Sequence, residues 1–327
     1  MIRRHVEFDA LRVMALGMIL TCHFIRNVGF YDLDIPLGCI GNMVFFVLSG
    51  WLLGLAWGNK GRPPYGWKFL KDRFVRLAIP LWVFSIPYMI WLKACGYDLS
   101  AKEVLLNLFL LNWFARIPGM TPYWFITAIS AFYVGVFALS HIRLQKPHSF
   151  AVTAGLAVSC VLIQLAFSLC GIRYGYVLIL MLCGTLAFLN ADTLLSSIRM
   201  TPRFRIGAAT VALSVILFLV FWGLVRKGDV VVGTPVCYYM TIPVAFLVMM
   251  IVLKTFTGLQ ENVVVTFLSS ISYEIYLVHA ATLLWMRPIC GHVAVYASLF
   301  LLSTLGLAIL VHIVSLVGYR YFLRRTV

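Results

Sequence analysis

Apolar residues in this chain do not alternate with polar ones. They run continuously for about 20 positions at a time, the length an α-helix needs to cross a ~30 Å hydrocarbon core. A β-barrel would show alternating segments of about ten residues instead. The pattern predicts spans near residues 10–30, 36–57, 77–94, 121–140, 150–170, 174–190, 206–225, 235–253, 264–286 and 293–317. Residues 103–114 are apolar but too short to span, and read as an interfacial or re-entrant segment. The expectation is an all-α integral membrane protein of about ten transmembrane helices. It forms a single transmembrane domain over 1–327, with a basic loop at 58–76 and no separate soluble domain.

Composition excludes other classes. Of 327 residues, 62% are hydrophobic and 11% charged, whereas about a quarter are charged in soluble domains. A soluble enzyme, a disordered chain and a small secreted domain do not fit. The net charge is +15, from 26 Lys and Arg against 11 Asp and Glu. In a soluble protein this would raise nucleic acid; here it reads first as topology, and no nucleic-acid partner is expected. With the N-terminus inside, most basic residues fall on one side: Arg3, Arg4 and Arg12, the 58–76 loop, Arg143 and Lys146, Arg199, Arg203 and Arg205, Lys254, and Arg320, Arg324 and Arg325. That bias puts both termini in the cytoplasm. It also suits an anionic ligand at that surface. The eight cysteines show no C-x-x-C spacing and no metal-ligand pattern, so no metal is expected. No small-residue cleavage site follows the first run, which reads as an uncleaved helix.

Ionisable groups inside spans cost about 2.5–3.5 kcal/mol each on insertion scales, so each calls for a functional reading. The first span is densest: Asp9, Arg12 and His23, with Arg26 at its far end. Eleven positions separate Arg12 from His23, which returns a helix to within roughly 20° of the same face, about 16 Å further along its axis. Asp9 is one turn before Arg12 and can pair with it. This suits a ligand with an anionic head near the cytoplasmic surface and a long arm reaching His23 within the bilayer, and an acyl-coenzyme A fits that description. Imidazole, near pKa 6.5, is the usual general base at neutral pH. The plainer reading makes His23 a buried histidine bonded to a carbonyl.

Three further features carry two readings each. Arg73 and Arg76, at the start of a span, could grip phosphates bidentately or serve as a positive-inside anchor. Ser49-Gly50 permits close backbone approach by a helix or a ligand. Ser272, Tyr276 and His279 share one helical face, a polar stripe that lines a cavity or bonds to other helices. Glu274 points away from His279, so the two do not form a local pair.

Four stretches together resemble the membrane acyltransferase-3 family. They are Phe8-Asp9-Ala10-Leu11-Arg12 with His23, Phe45-Phe46-Val47-Leu48-Ser49-Gly50, Arg73-x-x-Arg76 before Pro80, and Ile271-Ser272-Tyr273-x-x-Tyr276-Leu277-x-His279. Their order matches across essentially the whole chain. The resemblance implies a multi-pass enzyme of the bacterial inner membrane. Such an enzyme moves an acyl group, usually acetyl, from cytoplasmic acyl-coenzyme A to a hydroxyl of a surface glycan or its lipid-linked precursor. It implies His23 and Arg12 as the essential pair, with Arg73 and Arg76, and Ser49 and Gly50 beside them, binding the donor. Asp9, Glu274, Tyr276, His279, Tyr133 and Trp124 are expected in support, Glu274 by orienting a base. The co-substrate is acyl-coenzyme A, with no permanently bound cofactor; membrane lipid and a second copy of the chain are the other expected partners. One departure stands out. Larger members carry acids in a Trp-to-Tyr motif whose register here runs Trp124 to Tyr133, but Ile129 and Ser130 occupy those positions. The hydrolase-like domain of some members is also missing.

Two other readings use the same residues. A transporter of a glycolipid or acyl-bearing substrate would show inverted repeats with paired broken helices, and the sequence shows no such symmetry. A scaffolding domain has no need of Arg12 and His23 on one face. Within the enzyme reading, succinyl or another acyl group could replace acetyl.

Overall fold

The computed structural model describes residues 6–29, 34–58, 64–141, 176–192, 230–256, 262–286 and 292–324. Every regular element among them is helical. In chain order they are α1 (Val6–Asn27), α2 (Asp34–Gly58), α3 (Trp67–Ala94), α4 (Ala101–Leu108), two 3-10 turns (Asn112–Phe114 and Thr121–Tyr123), α5 (Trp124–His141), α6 (Tyr176–Leu189), α7 (Val230–Phe256), α8 (Val263–Ser270), α9 (Ser272–Met286) and α10 (Val293–Arg324).

Five of these are long and apolar enough to cross a membrane: Val6–Asn27, Leu37–Gly58, Trp67–Ala94, Thr121–His141 and Val293–Phe322. The bent pair α8–α9, broken at Ile271, makes a sixth if it is counted as one span. Val177–Leu189 and Val244–Phe256 are shorter apolar helices. The spans expected near 150–170 and 206–225 lie outside the described residues. The basic loop expected to reach residue 76 is shorter, because α3 already begins at Trp67. Lys68, Lys71, Arg73 and Arg76 therefore ride on its first turns. A hydropathy reading misses this, since charged turns at a helix start look like loop.

The chain forms two compact units. The first comprises Met1–Pro63 and Ile142–Ser269, the second Pro64–His141 and Ser270–Val327. In the first, α2 is the central helix and packs against α1, α6 and α7. Two of its five glycines, Gly50 and Gly54, set the contact with α6. A Cβ on Gly50 would lie 1.9 Å from the Gly184 carbonyl oxygen, and one on Gly54 would lie 2.2 Å from that of Phe188. The four-residue spacing of Gly50 and Gly54 is the small-residue seam on α2 by which membrane helices gain packing that lipid cannot supply. Trp51 closes the seam by donating its indole N–H to the Ala191 carbonyl at 3.0 Å, while its ring takes Phe8 edge-on at 5.2 Å.

In the second unit α3 is central and packs against α4, α5, α9 and α10. Its C-terminus closes with a Schellman pair, Tyr97 N–H to Leu92 and Gly96 N–H to Lys93, with Gly96 at φ 88°. The segment read as interfacial holds α4, opened by a capping box in which Ser100 and Glu103 satisfy each other's backbone amides. Those hydrogen bonds from Ser100 hold the Glu103 carboxyl below its ordinary range. The same Schellman pattern ends α4, but with Leu110 in the left-handed region at φ 62°. Thr127 fixes it by donating to the Leu110 carbonyl at 2.8 Å.

Gly50→Ala and Gly54→Ala should each force α2 and α6 apart. The expected loss is roughly 1–3 kcal/mol, as for other overpacked contacts, read as a lower melting temperature of the purified protein. Unchanged melting in both variants would contradict the seam.

Candidate functional site

The candidate residues divide between the two units. In the first, Asp9 and Arg12 lie one turn apart on α1, with Arg12 Nη1 3.9 Å from Asp9 Oδ1. Ser269, in the last turn of α8, fits between them. Its hydroxyl donates to Asp9 Oδ1 at 2.5 Å and accepts from Arg12 Nη1 at 3.2 Å. Asp9 is only 6% exposed, so an unanswered carboxylate here would cost several kcal/mol. The Arg12 side chain is 34% exposed, enough for an anion to reach the guanidinium. At its own N-terminus α1 carries Glu7 and Asp9, and Arg26 lies in its last turn, both complementary to the helix dipole. The helix runs unbroken through His23, which is partly buried on it.

The close approach read into Ser49-Gly50 is made by a helix. Gly50 faces the α6 backbone, which fills the space a ligand would need.

The second unit holds the remaining candidates. The Arg73 guanidinium lies over two rings, 5.5 Å from the centre of Phe69 and 5.2 Å from that of Tyr133. The two rings stand nearly perpendicular, at 84°, and hold the cation by cation–π contact from two sides. Tyr65 extends the aromatic cradle, stacked on Phe69 at 4.2 Å, and its backbone amide is tied to Ser140 Oγ at 2.9 Å. Burial pushes the Tyr65 hydroxyl above its ordinary pKa, and the charge of Arg73 opposes that shift. Arg76, one turn on, is exposed. Trp124 opens α5 and meets Trp113 edge-on at 6.5 Å.

The polar stripe of α9 bonds to its surroundings. The Tyr276 hydroxyl donates to the Pro122 carbonyl. His279 is fully buried, and its Nδ1 lies 2.5 Å from the Tyr276 carbonyl, which fixes that nitrogen as the protonated one. Thr282 bonds Thr304 of α10 at 2.7 Å. Within the stripe, Tyr276 thus bonds out of α9 to a 3-10 turn, while the His279 contact stays within the helix.

Glu274 is 3% exposed and meets His312 Nδ1 of α10 at 2.8 Å. The imidazole that Glu274 orients is therefore His312. Two partners, Ser269 and His312, were not singled out from sequence. His312 carried a usable signal, an ionisable residue inside the last apolar run. Ser269 carried none, since a serine near a helix break is common.

Among the described residues no group of three or more His, Cys, Asp or Glu could hold a metal ion. A family model described as an acyltransferase domain matches residues 5–320. No curated protein and no solved structure matches the chain.

Ser269→Ala should leave the Asp9 carboxylate short of a donor and cost about 1–3 kcal/mol of stability, whereas Ser269→Thr should stay close to wild type. Melting curves of the two variants decide this; equal melting would remove Ser269 from the network. Glu274→Ala should likewise destabilise more than Glu274→Gln, because Gln keeps a hydrogen-bond acceptor for His312.

Proposed function

This chain belongs to the acyltransferase-3 family, and from that premise we propose that it is a multi-pass O-acyltransferase of the bacterial inner membrane, with ten helices and both termini in the cytoplasm. The donor is acyl-coenzyme A, with acetyl as the acyl group. The acceptor is a hydroxyl of a surface glycan or of its lipid-linked precursor. The observation that carries this reading is the first helix, where a braced arginine and a partly buried histidine lie on one unbroken helix about 16 Å apart.

In this reading His23 takes the proton of the acceptor hydroxyl. The oxygen attacks the thioester carbonyl, the new C–O bond forms as the C–S bond breaks, and the coenzyme leaves as a thiol carrying the proton from His23. Arg12, held by Asp9 and Ser269 some way along the helix from His23, offers positive charge to the donor's anionic head. The resemblance assigns Arg73 and Arg76 to the donor phosphates. The contacts of Arg73 with the Phe69 and Tyr133 rings support that role, because they hold in place a guanidinium, the group suited to bidentate phosphate binding.

Purified protein in lipid, given acetyl-coenzyme A and a cell-envelope glycan extract, should release free thiol. His23→Ala should lower the rate by about 100-fold or more, and the wild-type rate should fall as pH drops from about 8 to about 5 and the imidazole protonates. A flat pH profile would remove the base role from His23. A burst of thiol without acceptor would mark His23 as an acyl carrier. Failure to bind coenzyme A would favour a transporter.

A further inference from the structure

Pro80 lies inside α3, where a proline ring supplies no N–H. The carbonyl four residues earlier, that of Arg76, thereby loses its partner within the helix. In an apolar surrounding such a proline is tolerated when a neighbour satisfies the freed group. Here the neighbour is Tyr319 of α10, whose hydroxyl donates to the Arg76 carbonyl at 3.1 Å. The next carbonyl, that of Leu77, receives the Tyr273 hydroxyl of α9 at 2.9 Å. Gly318 allows the approach, since a Cβ there would lie 3.0 Å from Cγ2 of Ile79. The proline, the glycine and the two hydroxyls thus converge on one turn of α3, and that turn carries Arg76.

We propose that Tyr319 is a positioning residue for the Arg73–Arg76 pair: its hydroxyl replaces the hydrogen bond that Pro80 deletes and so fixes the angle at which the first turns of α3 hold the two guanidinium groups. The proposal rests on the assignment of those arginines to the donor. The Tyr319 hydroxyl bonds a backbone carbonyl, so its effect belongs in donor affinity and not in the chemical step. Tyr273 braces the adjoining carbonyl, which still has the Leu81 amide as a helical partner, so its loss matters less.

The substitutions Tyr319→Phe and Pro80→Ala form a two-by-two test. Tyr319→Phe keeps the ring and removes one oxygen. It should raise the KM for acetyl-coenzyme A roughly fivefold, about the worth of one ordinary hydrogen bond, with kcat within about twofold. Pro80→Ala restores an N–H four residues after Arg76. In that background Tyr319→Phe should change KM less than about twofold, because the carbonyl no longer depends on the tyrosine. Equal effects in the two backgrounds, or a loss confined to kcat, would overturn the proposal. Melting temperatures of the same four proteins read the hydrogen bond without the donor, and additive shifts there would also overturn it. If wild type binds no acetyl-coenzyme A but the melting shifts are non-additive, the donor assignment falls and the positioning role falls with it, while the hydrogen bond stands.

Discussion

A carboxylate inside an apolar helix bundle has to be answered by a donor, and among the described residues two buried acids, Asp9 and Glu274, gather polar partners around them. Asp9 is answered by Ser269 and Arg12, and Glu274 by His312. The cost of leaving either alone would exceed what most single packing contacts contribute. Each acid therefore fixes a basic side chain that the hydrocarbon would otherwise expel. Arg12 stands next to an anchor on its own helix, and His312 is held on α10 by an acid from α9.

The same economy governs the backbone. Prolines within α3 and carbonyls at the ends of short helices leave acceptors without helical partners, and side chains from neighbouring helices take them up. Tyr319 donates to the Arg76 carbonyl that Pro80 frees and Trp82 to that of Leu108 at the end of α4, at 3.1 and 2.9 Å; Tyr88 and Tyr123 reach backbone carbonyls elsewhere, those of Pro118 at 3.0 Å and Leu277 at 2.5 Å. Tyrosine and tryptophan suit this work because their bodies are apolar and their tips polar. Where no such bond is needed, glycines let backbones meet directly, as Gly50 and Gly184 do. The high aromatic content of the sequence has its physical use in these contacts.

Much of this was legible in the sequence, and the failures have causes. Continuous apolar runs announced helices, and the described residues contain no strand. The pairing of Asp9 with Arg12 followed from helical spacing alone. Helix ends were harder: the basic turns of α3 resembled a loop, and nothing local marked the break at Ile271. Long-range partners were hardest. Spacing can say that Glu274 turns away from His279, but only the fold brings it to His312. Likewise the Trp124-to-Tyr133 register identified Tyr133 as a candidate without revealing that its ring would lie on Arg73.

The account joins family membership to a chemical role for the first helix, with ester formation as its centre. The most direct measurement follows acetyl-coenzyme A labelled in its acetyl group through membranes containing the protein and an envelope glycan extract. The account predicts that label moves to the glycan and is released by mild alkali, as an O-ester should be. Label that stays on the coenzyme, emerges only as free acetate, or resists alkali as an amide would contradict it.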